Sequence, residues 1–126
     1  MHKYEEGDKN AKIWIIGEAP GVQEEKTGRP ISGGTGNVLN SLLAKAGIQR
    51  HRSFITNVLH TRPKYSGFDD YYTDPKKNVP SQELIQAHAR LRQEINQARP
   101  NVVIGLGREV LVALTGNTQI LKWRGS

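Results

Sequence analysis

The chain has 126 residues, which fits a single domain spanning 1–126 with one core. Hydrophobic residues make up 36%, gathered in short Val/Ile/Leu runs, which excludes a disordered chain. The absence of cysteine excludes disulfides, zinc–thiolate sites and cysteine-ligated clusters, and a formal net charge of +6 favours an anionic partner, nucleic acid first.

No apolar run reaches the ~20 residues of a membrane span, and residues 1–10 carry no signal-peptide core. An intracellular protein, cytoplasmic or nucleoid-associated, is expected, with no membrane partner.

In chain order, residues 12–17 (KIWIIG) form a short apolar run ending in glycine, the pattern of a buried strand. Residues 18–35 read as a long Gly/Pro-rich loop. Over residues 36–47, Val38, Leu39, Leu42, Leu43 and Ala46 recur at helical spacing, and Gly47 is a C-terminal stop. Residues 53–59 (SFITNVL) are β-rich and read as a second strand. Residues 60–80 read as a long polar loop holding Tyr65, Tyr71 and Tyr72. Ser81 suits an N-cap. Behind it Leu84, His88, Leu91, Ile95 and Ala98 mark one helix face, closed by Pro100. Residues 101–106 (NVVIGL) predict a third strand, residues 108–114 a short helix closed by Gly116, and residues 120–124 the start of a fourth strand.

Strands alternating with helices predict a parallel sheet covered on both faces. Right-handed crossovers then gather the strand carboxyl ends at one edge, where such sheets bind ligands. The segments placed there are 17–21, 57–62 and 105–107. Both long connections exceed the ~12–15 residues of ordinary loops, a length that goes with function or disorder.

Within 17–21 (GEAPG) the glycines permit a tight turn and Pro20 stiffens it, so Glu18 stands either at the mouth of the ligand crevice or simply exposed in a turn. Gly28-Arg29-Pro30 and then Gly33-Gly34-Thr35-Gly36 lead into a helix. Such glycines can cradle a phosphate through backbone N–H groups, or form an ordinary flexible loop. The segment is not a P-loop, and GEAPG is not the dinucleotide fingerprint. Asn57 is a poor strand former late in a strand, read either as a satisfied core amide or as a group that donates and accepts at once toward a ligand. His2, His51, His60 and His88 show no metal-ligand spacing, and His88 reads as a satisfied core histidine. Arg62, Lys64, Lys76 and Lys77 suit a phosphate backbone or a solvated loop.

The order of these motifs carries a resemblance. GEAPG, then EEKTGRPISGGTGNVLNSLL, FITNVLHTRP, NVP, the helix, VVIGLG and LKWRG resemble the uracil-DNA glycosylase superfamily, closest to its iron–sulfur-cluster-bearing (family 4) branch, over residues 13–125. GEAPG with TGRP and ITN at this spacing is a specific combination. The resemblance implies a three-layer α/β/α fold around a short, mostly parallel sheet. It also implies hydrolysis of the N-glycosidic bond of uracil in single- or double-stranded DNA, as a monomer, without cofactor or metal at the reacting centre. Position by position it places Glu18, Glu24 and Asn78 in catalysis. It places Ala19, Ile31 and Asn57 against the uracil, whose O4 acceptor and N3–H donor an Asn amide matches. It sets Gly33, Gly34, Thr35, Arg62 and Lys64 against DNA.

Three departures from that family stand out. The cluster cysteines are missing, with Thr61 and Ala87 where two are expected. Ile31 occupies the place of an aromatic that stacks on the extruded base, a contact worth roughly 1–3 kcal/mol. No His-Pro-Ser segment follows Gly125, so a C-terminally truncated domain is expected. The alternatives are a weak or inactive glycosylase-fold DNA-binding domain, such as a polymerase accessory, and a nucleotide-binding α/β protein using the loop at 33–36.

Overall fold

The computed structural model describes residues 4–64, 67–74, 76 and 79–115. Three strands, β1 (Ile13–Gly17), β2 (Ser53–Asn57) and β5 (Val102–Gly105), form a parallel sheet in the order β2-β1-β5. Ile13 pairs with Ser53 and Val102, and Gly17 pairs with Asn57, so the strands end together. The first strand is central, so the crossovers to its two neighbours diverge. This creates a switch point at the carboxyl ends of β1 and β5.

The period of two along the strands divides the core. Trp14, Ile16 and Phe54 point to one face with Leu84, Leu91 and Val110. Those last three come from α3 (Gln82–Ala98) and α4 (Arg108–Thr115). Ile15 and Ile55 point to the other face, under Leu39 and Leu43 of α2 (Gly34–Ala46). The layers are therefore α/β/α, the expected fold class. Trp14, Ile15, Ile16, Phe54 and Ile55 are fully buried. Truncating an isoleucine at such a site costs about 2–5 kcal/mol. The Trp14 and Phe54 rings lie 4.6 Å apart, and such a pair adds about 0.5–1.5 kcal/mol beyond area burial.

The 18–35 stretch is not a continuous loop. It contains α1 (Val22–Thr27), with acidic residues in the first turn, Lys26 in the last and Gly28 in the left-handed conformation at φ 73° as its cap. Helix α2 begins at Gly34, two residues before the expected start. Among its described side chains Leu39 and Leu43 form the buried stripe, and Val38 and Leu42 are exposed. The 60–80 stretch also has structure. A 3₁₀ turn (Gly67–Tyr71) precedes an antiparallel hairpin of β3 (Tyr72–Asp74) and β4 (Val79–Pro80). Ser81 caps α3 by accepting from Leu84 N–H, as expected. His88 is buried as expected, but its Nε2 has no protein partner among the described residues, so it is a core histidine and not a satisfied one. The expected fourth strand at 120–124 lies outside the described residues.

The polar N-terminal segment is part of the fold. Glu6 and Ile55 exchange backbone hydrogen bonds at 3.0 and 2.8 Å, which covers the outer edge of β2. Thr56 Oγ1 donates to the buried Glu5 carboxylate at 2.7 Å.

Candidate active site

A cavity of about 630 Å³ opens at the carboxyl ends of the strands. Its lining comes from the end of β1 and the following turn (Gly17, Glu18, Ala19) and from α1 (Val22, Gln23, Glu24). The next loop adds Ile31, Gly33 and Gly34, the end of β2 adds Asn57, and the turn after β5 adds Leu106 and Gly107. Seven of the sequence-predicted residues thus meet in one place: Glu18, Ala19, Glu24, Ile31, Gly33, Gly34 and Asn57.

Asn57 sits beside Gly17 across the β1–β2 register. A Cβ at Gly17 would stand 2.5 Å from Asn57 Oδ1, so only glycine leaves the amide its place. Asn57 is 2% exposed, yet its Nδ2 has no protein partner among the described residues. An unsatisfied buried donor costs about 1–3 kcal/mol, a cost that a ligand's acceptor relieves.

Glu18 leaves β1 with its backbone fixed, since Leu59 N–H donates to its carbonyl at 3.0 Å. Its Oε2 accepts from Glu109 N–H at 3.0 Å, at the positive end of α4. Burial pushes the Glu18 carboxyl above its usual range. The Glu109 amide opposes that shift, the Glu109 carboxylate reinforces it, and Arg108 opposes it. Gly107, at φ 110°, lets this carboxylate lie against the chain: a Cβ there would be 2.6 Å from Glu18 Cδ and Oε2.

Glu24 faces the same cavity with its oxygens already engaged. Oε1 accepts from Gly21 N–H at 2.8 Å, and Oε2 accepts from Ser32 N–H at 2.8 Å and Gly33 N–H at 3.0 Å. Burial pushes its carboxyl up, but the N–H groups of Ser32, Gly21 and Gly33 outweigh that and hold it below the usual range. The Gly33 amide serves this carboxylate, while Gly34 is exposed.

Ile31 forms a buried wall, and its backbone is at φ 47°, a strained region for a β-branched residue. Arg50 holds it there. Its Nη2 donates to Pro30 O at 2.7 Å, and its Nη1 donates to Ile31 O at 3.3 Å and Asn40 Oδ1 at 2.9 Å. Its Nε donates to Glu6 Oε2 at 3.1 Å. Sequence reasoning missed Arg50, because an arginine in a basic run before a strand looks like surface charge. It also missed Glu109 and Tyr72, whose phenol donates to Glu109 Oε1 at 2.6 Å.

The other expected residues lie apart. Arg62 pairs with Glu25 at 2.8 Å, a half-exposed ion pair worth ~0–1 kcal/mol, and Lys64 is exposed. Neither lines the cavity. Asn78 lies outside the described residues, as does the side chain of Thr35. Among the described residues no group of three or more His, Cys, Asp or Glu is placed to hold a metal. An iron–sulfur cluster does not fit this chain. It has no thiolate, and at two of the expected positions Thr61 lies 3.5 Å from the Tyr71 phenol and Ala87 packs on the core.

Fold and cavity together define a three-layer α/β protein with a carboxylate and a buried amide, whose Nδ2 has no partner among the described residues, lining one cavity at the strand carboxyl ends. The family model of the uracil DNA glycosylase superfamily matches residues 4–124, and the chain belongs to that superfamily. It is 34% identical over 114 residues to the Type-4 uracil-DNA glycosylase of Pyrobaculum aerophilum, covering 85% of this chain and 53% of that protein. Against the Type-4 uracil-DNA glycosylase of Archaeoglobus fulgidus the identity is 35% over 103 residues, covering 81% and 46%. Against that of Thermotoga maritima it is 34% over 106 residues, covering 84% and 50%. The chain spans about half the length of the curated relatives it matches. No helix among the described residues is long and apolar enough to cross a membrane.

Proposed function

We propose that the protein hydrolyses the N-glycosidic bond of uracil in DNA, the first step of base excision repair, and works as a monomer. The observation that carries this reading is the buried Asn57 Nδ2, without a protein partner among the described residues, in the same cavity as Glu18 at the switch point.

The bond joins uracil N1 to deoxyribose C1′ and is unreachable inside a duplex, so the nucleotide is flipped out at a cost of a few kcal/mol. Asn57 donates to O4 and accepts from N3–H, which selects uracil over cytosine. As the N1–C1′ bond breaks, its electron pair leaves with the uracil and positive charge grows on the sugar. Glu18 stabilises that charge and accepts the proton of the water that adds to C1′. Glu24 holds Gly21, Ser32 and Gly33 in place around the base and the water. Ala19 and Ile31 pack on the base, and Asn78 completes the catalytic set. Gly33, Gly34, Thr35, Arg62 and Lys64 face the DNA backbone. A nucleoid-associated protein follows from this role.

The test is strand cleavage at uracil in single-stranded and duplex DNA, read after alkaline nicking, with Glu18→Gln beside the wild type. We expect cleavage by the wild type and a loss of about 10²-fold or more in the variant. A second reading, a DNA-binding domain without glycosylase activity, is favoured by Ile31 standing where an aromatic stacks. DNA binding with no cleavage on either substrate would establish it instead.

A further inference from the structure

We propose that Tyr72 and Glu109 form a positioning pair for Glu18, through which the β3–β4 hairpin sets the carboxylate at the cavity mouth. The proposal rests on the glycosylase reading. Glu109 touches the site and the hairpin with different atoms. Its backbone N–H, in the first turn of α4, donates to Glu18 Oε2 at 3.0 Å. Its side-chain carboxylate accepts from the Tyr72 phenol at 2.6 Å and lies 3.3 Å from the Arg108 guanidinium. A phenol–carboxylate bond of this length is charge-assisted and among the stronger side-chain hydrogen bonds.

The consequence is geometric. The amide that orients Glu18 belongs to the residue whose side chain is tied to the hairpin. Moving the first turn of α4 moves that amide, and beside the core packing of Val110 the Tyr72 phenol ties that turn to the hairpin by a hydrogen bond. Burial, together with the Glu109 carboxylate, pushes the Tyr72 phenol far above its ordinary range, so it donates throughout the working pH range. The charged groups that bear on Glu18 are Glu109 and Arg108 from α4, with Glu24 of α1 lining the same cavity. A purely structural role for the pair would change stability alone. A positioning role also changes how Glu18 titrates and how fast the bond breaks.

Three forms of the full chain decide between these: wild type, Glu109→Gln and Tyr72→Phe. Glu109→Gln keeps the backbone N–H and a side-chain acceptor and removes the like charge, and with it the ion pair to Arg108. In this variant the Glu18 carboxyl, followed by carbon-13 NMR, titrates at lower pH than in wild type. The acid limb of single-turnover cleavage against pH moves down with it. Tyr72→Phe removes the tie and leaves both charges. Its cleavage rate falls about tenfold at an unchanged half-saturating DNA concentration. That is less than the ~10²-fold that a misplacement of about 1 Å can cost. A Glu18 titration unmoved in Glu109→Gln overturns the proposal, and so does a wild-type rate in a folded Tyr72→Phe. If the wild type cleaves no uracil substrate, the glycosylase reading fails by itself. The NMR titration needs no substrate and still decides whether the pair controls Glu18.

Discussion

Replacing Gly107 with alanine tests the packing of Glu18 directly. Two effects combine at this position. The backbone is at φ 110°, where an L side chain is strained by roughly 1–3 kcal/mol. The new Cβ also falls 2.6 Å from Glu18 Cδ and Oε2. The clashing atoms are the far end of a flexible side chain, so Glu18 relieves the clash by swinging away. Doing so breaks its hydrogen bond from Glu109 N–H, a charge-assisted bond worth about 1.5–3 kcal/mol. Glu18 is only half-buried, which puts the loss near the lower end. Gly47→Ala is the control. Gly47 caps α2 at φ 72°, and a Cβ there meets nothing within 4 Å, so it carries the backbone penalty of about 1–2 kcal/mol alone. Thermal melts should place Gly107→Ala below Gly47→Ala by roughly 6 °C, at about 4 °C per kcal/mol for a domain of this size. Single-turnover cleavage of uracil-DNA should fall by ~10²-fold in Gly107→Ala, as for a misplaced catalytic group, and stay within about twofold in Gly47→Ala. Equal melting temperatures and equal cleavage in the two variants would show that Glu18 does not lie across Gly107.

Asn57→Asp should weaken the preference for uracil over cytosine in paired cleavage assays, because an ionised carboxylate only accepts and suits the cytosine amino group. Unchanged selectivity would make Asn57 a core residue only. On acidification, cleavage should fail before the fold does. Burial raises the folded Glu18 pKa above the ordinary carboxylate value, so ionised Glu18 is lost at a higher pH than for an ordinary carboxyl. Its own linkage favours the fold at low pH and declines as pH rises through that raised value. Glu6 and Glu24 run the other way. Burial pushes both up, but Arg50 and Arg29 on Glu6 and the N–H groups of Ser32, Gly21 and Gly33 on Glu24 hold them low. Their stabilisation is full above the ordinary range and lost as pH falls through their folded values. Activity and melting temperature measured across the same pH series check the order. Binding to duplex DNA should weaken steeply with salt, by roughly 0.9 log units per log unit of salt for each phosphate neutralised. A flat salt dependence would remove the nucleic-acid role.

Much of the site was legible because its parts are sequence-local. GEAPG after an apolar run places Glu18 at a strand end whatever packs around it, and an Asn late in a β-rich run signals a polar group aimed at that end. The alternation of strand and helix patterns was enough for a layered parallel sheet. Helix α1 was missed because Gly and Pro on both sides outweighed a six-residue signal. Its acidic first turn, terminal Lys26 and Gly28 were nonetheless in view. Arg50, Glu109 and Tyr72 carry no local signal at all. Each is a polar residue with at least one polar neighbour, and what separates it from a solvated one is a partner 19 or more positions away.

The described parts of the long connections are tied to the body without thiolates. The family resemblance implies a cluster stapling the N-terminal segment and the 60–80 stretch to the body, and this chain has no cysteine to build one. Phe68, Tyr71 and Tyr72 instead pack on the core cluster that holds Trp14 and Phe54. Ser81 N–H donates to Tyr71 O at 2.7 Å, and the Tyr72 phenol reaches α4. On the other side of the molecule, Glu6 joins the N-terminal segment to β2 through its backbone and to Arg29 and Arg50 through its carboxylate. Arg50 in turn holds the strained Ile31 wall. Two of these ties, Tyr72 to Glu109 and Glu6 to Arg50, end on an immediate partner of a cavity-lining residue. Loosening the N-terminal segment would therefore reach the cavity through Arg50 and Ile31, and loosening the hairpin would reach it through Glu109 and Glu18.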